Sequence, residues 1–166
     1  MISSRLRIGI AAAIVSLALD QATKLWLLYV FEIGRRGVTQ VTSFFDLVLA
    51  WNTGISYGWF SDAGPTGQIL LVAFKIVAVM VLSVWMVKAH NRLATLALGL
   101  IIGGAIGNAI DRFAYGAVVD FVLLHAEFGG KTWNWYVFNV ADAAIVAGVA
   151  ALLYDSFLSP TAAKAP

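Results

Sequence analysis

LATLALGLIIGGAIGNAIDR, residues 93–112, is the stretch whose reading decides the fold. From Leu93 to Ile110 it carries no charge, and an apolar run of about 18 residues is long enough to cross a bilayer. It ends on Asn108, Asp111 and Arg112, side chains that are costly at membrane depth and mark function by default. Three further stretches read the same way, at about Ile8–Val30, Ile69–Val87 and Phe138–Leu153. The whole chain agrees with them. Its 166 residues are 61% hydrophobic and 12% charged, where soluble domains run at roughly 45–50% and 25%. A soluble domain of this size buries only about 70% of the surface its unfolded chain exposes, so lipid must solvate much of this one. The expectation is a single membrane domain over residues 1–166. It is all-α, with four transmembrane helices and a small extracytoplasmic β-rich segment at about 38–60, where VTSFFDLVLAW (41–51) has strand composition and Gly54 and Gly58 flank a turn.

Charge places the ends of the spans. Arg5 and Arg7 precede the first span, Lys88 and Arg92 sit in the tight link between the second and third, and Lys164 follows the fourth. If the spans alternate, these five share one side, which the positive-inside rule makes cytoplasmic. Both termini are then cytoplasmic, and the long connections, about Phe31–Gln68 and Asp111–Val137, face outward. The first span lacks a small-residue cleavage site and is interrupted by Asp20, Gln21 and Lys24, so it is expected to stay attached. Trp133, Trp135, Tyr136 and Phe138 suit an interfacial aromatic belt, and the tail from Pro160 is expected to be disordered.

Several functions fall away on composition. A net charge of +2 with scattered basic residues gives no nucleic-acid stripe. Zero cysteines exclude disulfides, thiolate zinc sites and a cysteine nucleophile. Two histidines, His90 and His125, without an H-E-x-x-H pair, make a metalloenzyme improbable, and neither metal nor cofactor is expected.

The polar residues that remain fall at one depth. Asp20 and Lys24 lie in the outer half of span one and Lys75 in that of span two. Asn108, Asp111 and Arg112 end span three, and Asn139 and Asp142 open span four. Asp20/Lys24 and Asn108/Arg112 are four residues apart and Asn139/Asp142 three, so each pair shares a helix face. Any one pair is explained by polar contacts that hold helices together. All of them at one level point to a site. Two carboxylates held close share a proton, one acting as base on water while the other donates to a carbonyl. The candidates are Asp20, Asp111, Asp120 and Asp142. A competing signal, Gly54-Ile55-Ser56-Tyr57-Gly58, matches the serine-hydrolase G-x-S-x-G, but that motif needs an α/β sheet and a histidine. His90 falls on the opposite side of the membrane and His125 has no recognisable support.

Read together, Asp20-Gln21-Ala22-Thr23-Lys24, Asn52-Thr53-Gly54, the run from Gly103 through Asn108, Asp111 and Arg112 to Val118-Val119-Asp120-Phe121, and Phe138-Asn139-Val140-Ala141-Asp142 resemble the bacterial lipoprotein signal peptidases, or signal peptidase II, in order and over nearly the whole chain. The resemblance implies a bacterial inner-membrane aspartyl protease that removes signal peptides from diacylglyceryl-modified prolipoproteins, cleaving before the lipidated cysteine. It implies Asp120 and Asp142 as the catalytic pair, with Asp20, Lys24, Asn52, Gly54, Asn108, Arg112, Asn139 and Ala141 at the family's other characteristic positions. One departure is Asn52-Thr53-Gly54-Ile55-Ser56-Tyr57-Gly58 where the family commonly has N-x-G-A-A-F-G. Lipidated prolipoproteins and membrane lipid are the expected partners, and a monomer the expected state.

Local chemistry sharpens the choice between neighbouring aspartates. An aspartate beside a fixed cation stays ionised, which makes Asp111, next to Arg112, a poor partner in a shared proton; Asp120, among Val118, Val119 and Phe121, suits one. Gly103, Gly104 and Gly107 let span three pack closely. Readings from other classes are a small transporter using the carboxylates as a relay, which the apolar inner halves of the spans oppose, and a scaffold using the polar layer as glue.

Overall fold

The computed structural model describes residues 3–54 and 64–158, so Ser56 and the tail after 158 lie outside the described residues. Helix α1 (Ser4–Tyr29) leads through a short turn of helix, α2 (Ile33–Arg36), into strands β1 (Thr39–Gln40) and β2 (Phe45–Asn52). Helices α3 (Gly64–Lys88) and α4 (Arg92–Tyr115) follow, then strands β3 (Val118–Phe128) and β4 (Lys131–Asn134), and helix α5 (Val140–Leu158). Four of the helices are long and apolar enough to cross a membrane: Ser4–Tyr29, Ile69–Lys88, Arg92–Tyr115 and Val140–Phe157.

Helix α4 is the axis of the bundle, with α1, α3 and α5 packed around it. The helix ends are fixed locally. Ser3 Oγ accepts from Leu6 N at 3.2 Å to start α1, and Asn91 Oδ1 accepts from Ala94 N at 2.7 Å to start α4. Gly116, at φ +72°, closes α4 by donating its N–H to Arg112 O. Small residues let the axis be approached from two sides. A methyl on Gly104 would stand 2.5 Å from Ala141 O of α5, and one on Gly107 2.5 Å from Asp20 Oδ2 of α1. Leu98 and Ile102 of α4 pack on Met86 of α3 in the apolar core at one end of the bundle. A second cluster, Leu27, Ile33 and Phe121, joins α1 and α2 to the sheet at the other. The large side chains left exposed, such as Phe74, Val77 and Val146, face where lipid would be.

The β-rich part is larger than the segment 38–60 read from sequence. It is a four-stranded antiparallel sheet in the order β1-β2-β3-β4, half of it supplied by residues 118–134. VVDFVLL shows no strand alternation because the start of β3 is buried throughout, from Val118 to Phe121. The turn signal was present all the same. Gly129 and Gly130 sit at φ +60° and +72°, the left-handed pair that a two-residue hairpin needs. Ala50 pairs with Asp120 and Asn52 with Val118, which aligns the end of β2 with the polar layer. His125 also has support in this sheet that the sequence reading missed: its Nε2 lies 3.2 Å from Asp46 Oδ2. The third span runs on to Tyr115, and the fourth starts at Val140 rather than Phe138 because Asn139 caps it.

Candidate active site

Helix α5 begins with a reciprocal cap. Asn139 Oδ1 accepts from Asp142 N at 2.9 Å while Asp142 Oδ2 accepts from Asn139 N at 3.2 Å. Two orphan N–H groups of the helix start are thereby satisfied, which is why a polar pair three residues apart opens this helix. The Asn139 amide then points away from the helix. Its Nδ2 donates to Asp120 Oδ1 at 2.6 Å, to Asn108 Oδ1 at 3.1 Å and to Val119 O at 3.3 Å. Asn139 thus holds a carboxylate of β3 through its side chain and a carboxylate of α5 through its backbone N–H.

Each carboxylate has a second support. Asn52, at the end of β2, donates to Asp120 Oδ2 at 3.1 Å, and Asn108 of α4 donates to Asp142 Oδ1 at 2.8 Å. Burial, and then the Asp142 charge, push the Asp120 carboxyl up to about 6, against the hydrogen bonds from Asn52 and Asn139 that favour its ionised form. Asn52 Oδ1 also accepts from Gly54 N at 3.2 Å, and Gly54 O accepts from Arg112 Nη2 at 2.7 Å. The cation of Arg112 therefore ties the loop after β2 to α4.

Beneath the two carboxylates lies a buried ionic cluster. Lys24 Nζ reaches Asp20 Oδ2 at 2.8 Å, Asp111 Oδ2 at 2.7 Å and Asn108 Oδ1 at 3.2 Å, with all three charged side chains at most 2% exposed. Asp20 Oδ1 accepts from Ala141 N at 2.9 Å, fastening α1 to the first turn of α5. All ten site residues read from sequence (Asp20, Lys24, Asn52, Gly54, Asn108, Arg112, Asp120, Asn139, Ala141 and Asp142) are joined in this one network. Two details differ from the sequence reading. The cation that holds Asp111 is Lys24 of α1 and not the adjacent Arg112, because the roughly 100° between neighbouring helix residues carries the Arg112 guanidinium towards Gly54. Gln21, passed over as a site residue, donates to Asp20 Oδ2, Gly107 O and Asp111 Oδ1 at 3.0–3.2 Å. Its place directly after Asp20 in a membrane span was the available signal.

A cleft of about 920 Å³ opens beside Asp142, between the β3–β4 hairpin and α5. Leu124, Trp133, Tyr136 and Phe138 form one wall and Val146 and Ala150 the other, so a long apolar group lying along α5 would meet the carboxylate layer at one end. Among the described residues no group of three or more His, Asp or Glu side chains is arranged to hold a metal ion.

Known proteins share this arrangement of sequence and fold. A family model described as signal peptidase (SPase) II matches residues 12–158. Lipoprotein signal peptidases of Rhodopseudomonas palustris and Nitrobacter hamburgensis are 72% and 68% identical to the chain, over 96% and 97% of it and 98% of each relative. A bacterial membrane enzyme solved by the in meso method at 2.3 Å resolution superposes with a TM-score of 0.78 at 26% identity, covering 95% of this chain and 92% of that one. With a family match spanning all four apolar helices and relatives this similar along nearly their full length, the chain belongs to the signal peptidase II family.

Proposed function

We propose that the chain is an aspartic endopeptidase acting at the membrane surface, which removes signal peptides from diacylglyceryl-modified prolipoproteins by cutting before the lipidated cysteine. The observation that carries this reading is the Asn139 bridge, which holds Asp120 and Asp142 as a coupled pair while Asp120 is pushed up to about 6. In the singly protonated pair, the ionised carboxylate takes a proton from water as the oxygen attacks the scissile carbonyl carbon. The protonated partner gives its proton to the carbonyl oxygen. The now ionised partner takes a hydroxyl proton from the tetrahedral intermediate as the C–N bond breaks, and the other carboxyl gives its proton to the leaving amine, which restores the singly protonated pair. Asn52, Asn108 and Asn139 keep both carboxylates oriented, and donors fixed in this way are worth about 10²–10³ in rate each. Arg112 holds the loop that carries Asn52 and Gly54, while Asp20, Lys24 and Ala141 tie α1 to α5.

The Lys and Arg distribution supports a multi-pass protein of the bacterial cytoplasmic membrane with both termini inside and the carboxylate layer near the outer face. There it would meet substrates whose lipid anchor stays in the bilayer. The protein is proposed to act alone, as a monomer and without a cofactor. The test compares Asp111→Asn, Asp120→Asn and Asp142→Asn, each inserted to normal levels, in single-turnover cleavage of a lipidated prolipoprotein. Asp120→Asn and Asp142→Asn should lose several orders of magnitude, and Asp111→Asn mainly stability. An active Asp120→Asn beside a dead, well-inserted Asp111→Asn refutes the pair.

A further inference from the structure

At the end of the bundle away from the carboxylates, α3 and α5 flank a cleft of about 750 Å³. Trp85, Lys88 and His90 line one side, and Leu152, Leu153 and Asp155 the other. The polar end is organised. Asn91 caps α4 through Oδ1 and donates its Nδ2 to both oxygens of Asp155, at 3.0 and 2.9 Å. Arg5 donates to the backbone oxygen of His90, which brings its guanidinium to the same link, and Arg92 is the first residue of α4. Lys88 and Asp155 are the charged side chains that line the cleft; Arg5, fixed on His90, and Arg92, next to Asn91 in the chain, add cations beside it, while the Asp155 charge already accepts two hydrogen bonds at the N-terminus of a 24-residue helix. The other end of the cleft is aliphatic, and Leu153 and Val149 open it to lipid.

We propose that this cleft binds one anionic phospholipid of the phosphatidylglycerol type. Its phosphate lies against Lys88 and His90, its glycerol hydroxyls reach Asp155 and Ser156, and an acyl chain runs along Val149 and Leu152. A cleft between helices with apolar walls and cations at and beside its polar end is the arrangement that retains anionic headgroups at a membrane surface. The excess of cations opposes the basic leading segment of a signal peptide, and the aliphatic walls give free phosphate nothing to bury. Placing the lipid in the inner leaflet rests on the orientation proposed above. Binding in detergent does not, so a failure here is distinguishable from a failure of the orientation.

Native mass spectrometry of the full chain in mild detergent, titrated with phosphatidylglycerol, phosphatidylethanolamine or phosphatidylcholine, tests the site. One phosphatidylglycerol should bind at least tenfold more tightly than either zwitterionic lipid. Lys88→Gln should weaken it about fivefold, the share of one basic side chain at an anionic lipid, while Arg5, Arg7 and Arg92 preserve the orientation. Ser156→Phe, which keeps every charge and fills the mouth of the cleft, should abolish the tight site and leave prolipoprotein cleavage unchanged. Equal binding of phosphatidylethanolamine, or binding that survives both substitutions, overturns the proposal.

Discussion

Replacing Asn139 by aspartate changes one atom and separates the two tasks of that side chain. The helix cap survives, because an aspartate oxygen still accepts from Asp142 N, now at 2.9 Å from Asn139 Oδ1. The donor does not. An oxygen replaces Nδ2 at 2.6 Å from Asp120 Oδ1, 3.1 Å from Asn108 Oδ1 and 3.3 Å from Val119 O, so acceptors face an acceptor unless a proton is trapped between residues 139 and 120. The folded state then holds that proton more tightly than the unfolded chain does. The stability of Asn139→Asp is retained at low pH and lost as pH rises, by about 1.4 kcal/mol for each unit over which the proton is kept. Asn139→Ala behaves differently. It loses the cap, worth about 1 kcal/mol at any pH, and leaves the ionised Asp120 acceptor unsatisfied, worth about 1.5–3 kcal/mol, for a deficit of roughly 2.5–4 kcal/mol at pH 8 that shrinks towards the cap's share as Asp120 takes up its proton below about 6. Unfolding in mild detergent at pH 5 and pH 8, alongside single-turnover cleavage, reads both effects. The Asp variant should match Ala or better it at pH 5 and fall below it at pH 8, and it should cleave at least about 10²-fold more slowly than the parent. An Asn139→Asp protein whose stability ignores pH and which cleaves normally would refute the bridge.

The buried cation should be far more costly to remove than a surface one. Lys24→Met strands Asp20 and Asp111 and should destabilise the protein by about 3–5 kcal/mol in the same unfolding assay; a loss below about 1 kcal/mol contradicts the network. Because Asp120 sits at about 6 rather than 3.8, kcat/KM should fall about tenfold per pH unit above roughly 6, whereas the stability its proton lends, fully present below 3.8, should be lost earlier, as pH rises from 3.8 to about 6. A flat profile from pH 5 to 8 contradicts the shared proton. A reporter active only outside the cytoplasm should work when fused after Gly64 or Gly129 and fail after Asn91 or Ala162, and the reverse pattern overturns the orientation.

The helices were legible because a membrane span announces itself in composition. So was the grouping of the polar residues, since Asp20, Lys24, Asn108 and Asp142 stand out in apolar surroundings and the structure joins them in one network. What sequence alone did not show is partnership across helices. Asp111 has Arg112 as its neighbour in the chain, yet its cation is Lys24, because adjacent residues on a helix point about 100° apart and the packing of α1 decides the pair. The sheet was half visible for a related reason. β2 has strand composition, whereas the buried start of β3 lacks alternation and was passed over despite the Gly129-Gly130 turn. Gln21, visible as an interruption of the first span, was not assigned to the site because an uncharged amide in a membrane helix reads as ordinary helix contact until its three acceptors are placed around it.

The bond from Ala141 N to Asp20 Oδ1 spans 121 positions of sequence, which bears on how the molecule is made. A ribosome adding about 5–20 residues per second delivers Asp20 and Lys24 to the bilayer on the order of 6–24 s before Ala141 emerges. Asn139 and Asp142 arrive with the same final helix. Until then the nascent chain holds one member of the carboxylate pair without its bridge, and on the proposed mechanism it awaits the other before any hydrolysis. A product truncated before α5 lacks Asn139 and Asp142 altogether, and it leaves Asp20 Oδ1 without the Ala141 donor within an apolar span. On the proposed mechanism, delivery of the final helix and the onset of activity are therefore a single event.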